Sequence, residues 1–237
     1  MNSRSAILLL LVLCIACKPA PKKAAAPAAT PSGPTVRATV VTIRMTTQPG
    51  DKTSTHELLI GNGLVRSMDE IDVWRLFDTK ANRVTFVDDI AQTYSTAEVP
   101  ALAKARRAAL AAPLPAEVPR AQFTVTGTKK ALQGVQATQS LVKAGTYTRE
   151  LWIGSHPAIP RGLYAAMMAA RQPSSNIEPM ARSVDEALLA VEGFPLAEHS
   201  ELPLGNTKMT VDREVVAIGA RDVPATMFEV PKGYRKM

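Results

Sequence analysis

Cysteine is nearly absent from this chain: two occur in 237 residues, Cys14 and Cys17, both near the start. That excludes a disulfide-stapled scaffold and a cysteine-based zinc site in the body of the protein. Histidine is almost as scarce. His56, His156 and His199 have no partner at the i+2, i+3 or i+4 spacing of a zinc-ligand pair. No apolar run reaches the roughly 18 residues that a spanning helix needs, which excludes a polytopic membrane protein. Apolar side chains, by contrast, are plentiful, at 46% against 5% aromatic residues. A wholly disordered chain is therefore excluded, and the length supports one large β-domain or two small ones around a core.

The first residues, MNSRSAILLLLVLCIAC, place Arg4 ahead of an apolar stretch of 11 residues, Ala6 to Ala16. That is too short to cross a bilayer of about 30 Å and right for the h-region of an export signal. The stretch stops at Ala16-Cys17, followed at once by Lys18. Ile15-Ala16-Cys17 resembles the lipobox of bacterial lipoproteins, with Cys14 standing where that pattern has a leucine-like residue. The resemblance implies cleavage before Cys17 and acylation of Cys17, a palmitate-type lipid anchor. Two acyl chains or more anchor stably, at about 0.8 kcal/mol per buried CH₂. Lys18 stands where an aspartate would retain the protein at the inner membrane, so the resemblance implies the outer membrane, facing the periplasm. Two other readings are an ordinary cleaved signal peptide and a redox C-x-x-C. The latter lacks the preceding strand it would need.

Residues 17–36 then read as a tether. KPAPKKAAAPAATPSGPT holds five prolines, six alanines and three lysines. It offers no apolar surface to offset the entropy of folding, and its prolines favour an extended reach of about 50 Å.

From Arg37 the pattern turns to period two, with Val41, Ile43 and Met45 alternating with Thr42 and Arg44. Strands are predicted over 56–60, 71–77, 83–87, 91–95, 122–127, 135–142, 147–153, 196–204, 208–218 and 225–230, linked by turn clusters such as Gly61-Asn62-Gly63. Helices are predicted over 98–112, over 161–171, and from Ser183, where Ser183-Val184-Asp185-Glu186 reads as a capping box. No internal repeat is visible. The fold class is α+β, a single domain over 37–237 with an antiparallel sheet and two or three covering helices.

Three segments carry a further resemblance. Asp222-Val223-Pro224 through Phe228-Glu229-Val230-Pro231-Lys232-Gly233-Tyr234, the pair of runs ending in Thr93-Tyr94-Ser95, and the segment Gly127 to Ile153 resemble an uncharacterised family of secreted bacterial proteins and lipoproteins. That family is similar in pattern to the periplasmic carriers of the lipoprotein-localisation (Lol) pathway. The resemblance implies a curved, incomplete β-barrel with helices over an apolar cavity, and it carries no catalytic residues.

Motifs for chemistry are missing. Gly154-Ser155-His156 lacks the flanking glycine of a nucleophile elbow, and Gly127-Thr128-Lys129-Lys130 does not complete a phosphate loop, its lysines reading as a turn. Asp88-Asp89 fits a turn, and Asp185-Glu186 a helix N-terminus. His56-Glu57 and Glu198-His199 read as solvated strand residues, with a metal or acid–base pair as the alternative. We therefore expect no enzyme, no metal and no cofactor, although a site assembled across strands leaves no local motif.

The net charge is +7, with Arg106, Arg107, Lys129, Lys130, Lys143, Arg235 and Lys236 scattered among acids and not interleaved with aromatic residues. A cationic face toward anionic headgroups fits this better than nucleic acid. Trp74, Phe77, Phe86, Phe123, Tyr147, Trp152 and Phe228 fall in predicted strands and read mostly as core.

Two functional readings lead. In the first, a lipid or other hydrophobic ligand is buried between a concave sheet face, guessed as Val41, Ile43, Met45, Ile71, Val73 and Phe86, and helices bearing Met167 and Met168. Sites of this kind hold on the order of 300–1,000 Å³. In the second, a filled core leaves a structural module that docks an envelope protein partner through a strand edge or the tether. An enzyme is third.

Overall fold

The computed structural model describes residues 33–68, 72–111, 113, 116–171, 179–204 and 207–237. Cys14, Cys17 and most of the expected tether lie outside these residues, as does Ile71. Ser32–Met237 makes up one compact unit.

The described residues begin with a hairpin of β1 (Thr35–Gln48) and β2 (Lys52–Gly61), which places Val41 opposite Leu58 and Ile43 opposite His56. Asn62 and Gly63 both take positive φ, 55° and 81°, the turn that Asn-Gly favours because its twist matches that of the flanking strands. It leads into β3 (Leu64–Met68). The meander continues through β4 (Val73–Asp78), β5 (Arg83–Asp88) and β6 (Thr93–Glu98). Helix α1 (Val99–Leu110) follows, with Pro100 in the first turn, where its missing N–H leaves no helical bond unmade. Next come β7 (Gln122–Leu132), β8 (Val135–Ala144) and β9 (Tyr147–Gly154). Helices α2 (Leu163–Ala170) and α3 (Pro179–Leu188) precede β10 (Phe194–Leu204) and β11 (Thr207–Pro224). A short 3-10 turn, Ala225–Phe228, and the two-residue β12 (Arg235–Lys236) close the chain.

Among the described residues the strands form one sheet in the order β12-β6-β5-β4-β3-β2-β1-β11-β10-β9-β8-β7. Every neighbouring pair is antiparallel except β12 with β6. The long β1–β11 pairing joins the two hairpin series, with a register shift at Thr42/Ile43 that bends the sheet there. Val41, Leu58, Val65, Phe77 and Val84, from five successive strands, share one cluster with Leu163 and Ala170 of α2 and Leu196 of β10. Strands far apart in the order meet the same helix because the sheet curls around it. β7 and β12 remain separate ends, so the barrel is not closed.

A second cluster sets Met168, Val184 and Leu188 of the helices on Val142, Tyr147 and Leu151. A third includes Ala38, Val40 and Leu59 with Phe228. It lies on the opposite face of the sheet, since Val40 and Leu59 alternate with Val41 and Leu58. Each large buried side chain contributes about 1.5–3 kcal/mol.

The α+β class, the antiparallel curved sheet and the helices agree with the sequence expectation; several details do not. β3 is an unexpected strand, and the backbone over Ala225–Phe228 is a 3-10 turn, where a strand was expected. α3 begins at Pro179, so Ser183 lies inside it; its Oγ accepts the N–H of Ala121 (2.5 Å) instead of capping the helix. Asp185 and Glu186 are likewise inside α3. Lys129 and Lys130 belong to β7, past the register shift after Val125, and do not mark a turn. Arg106 is buried in an ion pair, not a surface cation.

Candidate functional site

The register of the meander decides which side chains face the helices. Phe77 sits opposite Val84, Arg75 opposite Phe86, and Phe86 opposite Ser95. Leu102, Ala105 and Arg106 of α1, with Ala169 and Ala170 of α2 and the adjoining Arg171, overlie this end of the sheet. Ala97, Ala105, Ala169 and Ala170 are too small to fill the space between the layers. What remains is a groove of about 790 Å³, whose lining includes the apolar Val73, Phe86 and Ala97 and the polar Arg75, Asp88, Ser95 and Arg171. That volume lies in the range of small-molecule sites.

The helices over the groove are tied by charge. Arg106 donates from Nη1 to the carbonyl of Arg171 and from Nη2 to Asp185, each at 2.6 Å, with both side chains of the Arg106–Asp185 pair under 10% exposed (3% and 8%). Arg171 adds a second contact to Asp185 at 3.6 Å. α1, α3 and the end of α2 are thus joined through one carboxylate, and removing a single partner of so buried a pair costs about 3–5 kcal/mol.

A second, smaller cavity of about 60 Å³ lies on the other side of α2, lined by Ile43, Tyr164, Met167, Phe194, Pro195, Glu198, Arg213 and Val215. α2 therefore supplies walls to both spaces. Glu198 accepts from Ser200 Oγ (3.1 Å), pairs with Arg149 (2.8 Å) and lies 3.7 Å from Arg213. Burial alone would raise the Glu198 pKa; Arg149, Arg213 and the Ser200 hydroxyl outweigh it and hold the carboxyl below its usual range. Burial likewise works against the Arg149 charge, and Glu198 outweighs it, so Arg149 stays charged. Tyr164 is pushed up, chiefly by burial, and stays neutral.

The residues guessed as ligand-lining divide between these places. Val73 and Phe86 line the groove, whereas Ile43 and Met167 line the small cavity. Val41 is fully buried core, and Met168 is buried in the cluster with Val184 and Leu188. Met45 lies with its sulfur 3.9 Å from Arg213.

The histidines stand apart from one another. His56 pairs with Ser54 (3.0 Å), and His156 Nδ1 accepts the N–H of Ala158 (3.1 Å). His199 sits 2.7 Å from Asp212, whose carboxylate raises its pKa. Among the described residues no group of three or more His, Cys, Asp or Glu is placed to hold a metal ion.

Arg75 and Arg149 went unremarked in the sequence, and Glu198, read there as a solvated strand residue, is buried; in each case a signal was there. Arg75 falls between Val73 and Phe77, Arg149 between Tyr147 and Leu151, and Glu198 between Leu196 and Ser200. Each is a charge on the inward phase of a strand, where period two calls for an apolar residue.

An unclosed sheet curled around helices, with an open groove, is the architecture of this chain. The chain belongs to a family described as a domain of unknown function (DUF4412), whose model matches residues 41–234. No curated protein matches it. Among solved structures, two crystal forms of PNGF-II (space groups C2 and P21) match 84% and 85% of this chain at 12% and 9% identity, with TM-scores of 0.43 and 0.41. The matched region spans 31% of the PNGF-II chain in each. A LolA-superfamily protein from Nitrosomonas europaea is weakly similar, with a TM-score of 0.26 and 10% identity over 82% of this chain and 89% of that one.

Proposed function

We propose that this protein binds an acyl chain or another elongated apolar ligand with an anionic end, as a non-catalytic carrier or sensor of the cell envelope. The observation that carries this is the groove of about 790 Å³ between the β4–β6 meander and helices α1 and α2. Phe86, Leu102 and the four alanines give it apolar walls, so an acyl chain laid there would gain about 0.8 kcal/mol per buried CH₂. Arg75, Arg106 and Arg171 in its lining outnumber the one carboxylate there, Asp88, an excess of positive charge that suits a carboxylate or phosphate end.

The rival reading, docking of a protein partner through a free strand edge, has less support. β7 is an end strand, but it is broken by a register shift between Val125 and Lys129, and Gly127 there takes φ +80°. It also carries Lys129 and Lys130. Bulges and lysines are how sheets discourage strand addition.

The anchoring part of the proposal rests on Ile15-Ala16-Cys17 and on Lys18, which support lipidation at Cys17 and an outer-membrane address. Titration of the unit Ser32–Met237 with the fluorescent fatty acid cis-parinaric acid tests the binding. A saturable rise in fluorescence, reversed by palmitate, is expected; no rise at any concentration would contradict the proposal.

A further inference from the structure

The small cavity beyond α2 carries an argument of its own. Its walls are apolar (Ile43, Met167, Phe194 and Val215), yet three polar groups converge on it: Tyr164, Glu198 and Arg213. The Tyr164 hydroxyl is buried, and among the described residues nothing accepts its proton or donates to it. An orphaned buried hydroxyl is a standing penalty of about 1–3 kcal/mol, so such groups are met where something else completes them.

The charges around it do not cancel. Glu198 Oε1 is fully engaged by Arg149 at 2.8 Å and Ser200 at 3.1 Å, whereas Arg213 stands 3.7 Å from the other oxygen, beyond a hydrogen bond. Two guanidinium groups thus share one carboxylate, and a positive charge is left over beside a neutral hydroxyl donor. The space of about 60 Å³ has room for a couple of waters or one small acid group.

We infer that this cavity is a recognition site for a carboxylate on a short apolar stem, with one carboxylate oxygen accepting from the Tyr164 hydroxyl and the other facing Arg213. The acid group would fill the cavity, and the stem would lead out of it past Ile43, Met167 and Phe194. The site is distinct from the groove: α2 stands between them, and Met167 lines one while Met237 lines the other.

That separation makes the test clean. The unit Ser32–Met237, which contains the whole of the three core clusters, is labelled with carbon-13 in its methionine methyl groups, the Met167 and Met237 signals being assigned by Met→Leu variants. It is titrated with sodium hexanoate and, separately, with hexanol. Hexanoate should move the Met167 signal saturably at a concentration about tenfold lower than hexanol does, without requiring any change at Met237. Tyr164→Phe removes only the hydroxyl and should weaken hexanoate about tenfold while leaving hexanol unchanged. Arg213→Gln should erase the preference for acid over alcohol.

Equal response to hexanoate and hexanol in the unaltered protein, no response at Met167, or a Tyr164→Phe variant that binds hexanoate as before would each overturn the inference. Failure here with parinarate still saturating the groove would leave the proposed function standing; the converse would leave this site standing alone.

Discussion

Tyr234, near the C-terminus, donates its hydroxyl proton to Asp89 Oδ1 at 3.0 Å, across 145 positions of sequence. The same oxygen accepts the indole N–H of Trp74, also at 3.0 Å. Upstream, Phe228 packs so close to Gly61 that a Cβ there would lie 3.1 Å from the ring. Arg66 stacks 4.0 Å over Trp74 and donates to the carbonyl of Met227 (3.1 Å). The final residues are thus a strap fastened across the outer face of the sheet, and Gly61 is small because Phe228 needs the room. The run from Asp222-Val223-Pro224 to Val230-Pro231-Lys232-Gly233-Tyr234 fastens the end of the chain to the sheet.

The strap predicts an order of stabilities. Tyr234→Phe removes one donor and leaves Asp89 satisfied by Trp74, a loss of about 1 kcal/mol. Asp89→Ala strands the indole N–H of Trp74, which is 1% exposed, and should lose about 1–3 kcal/mol more. Urea denaturation midpoints measure both; equal losses would show that the shared oxygen is not the fastening point.

Glu198 predicts a pH dependence. Its folded pKa lies below the ordinary 4.5, so the stabilisation it gives is fully present above about pH 4.5 and disappears as pH falls through the lower, folded value. Glu198→Gln should remove that part of the acid sensitivity. At neutral pH it should be destabilised by about 3–5 kcal/mol, because Arg149 is left buried without a counter-charge. Acid-unfolding curves of the two proteins check this, and superimposable curves would contradict it.

Ala105 lies on α1 at the mouth of the groove and is exposed. Ala105→Trp should fill the groove without disturbing the core, weakening parinarate at least tenfold while moving the thermal midpoint by no more than a degree or two. Leu102→Glu, which sets a carboxylate against the apolar wall, should act in the same direction.

Cys17→Ser should abolish the lipid anchor. Fractionation of cell envelopes is expected to show the variant released to the soluble periplasmic fraction, or retained unprocessed. Undiminished recovery of the cleaved variant in the outer membrane would count against the anchor.

How much of this was legible beforehand follows from the residues. The β1–β2 hairpin and the strands bearing Val84 and Leu151 declared themselves because apolar residues recur at alternate positions, and the Asn62-Gly63 turn because of its residue types. β3 did not, because its buried positions are Val65 and Ser67, a single apolar residue giving no period. Ser183 mimicked a helix cap because its hydroxyl does accept a backbone N–H, but that of Ala121, 62 residues away. The groove was half visible. Val73 and Phe86 are large and apolar, and Arg75 breaks the period of its strand, whereas the alanines that open the space and Arg171 signal nothing until α1 and α2 are laid on the sheet.

The central claim is that the groove holds an acyl ligand, and the most direct measurement is native mass spectrometry of Ser32–Met237 purified from the periplasm without its anchor. The account predicts a bound species of defined lipid mass, or uptake of added palmitate that Ala105→Trp abolishes. A bare protein mass that no added lipid shifts would contradict it and turn attention to protein partners.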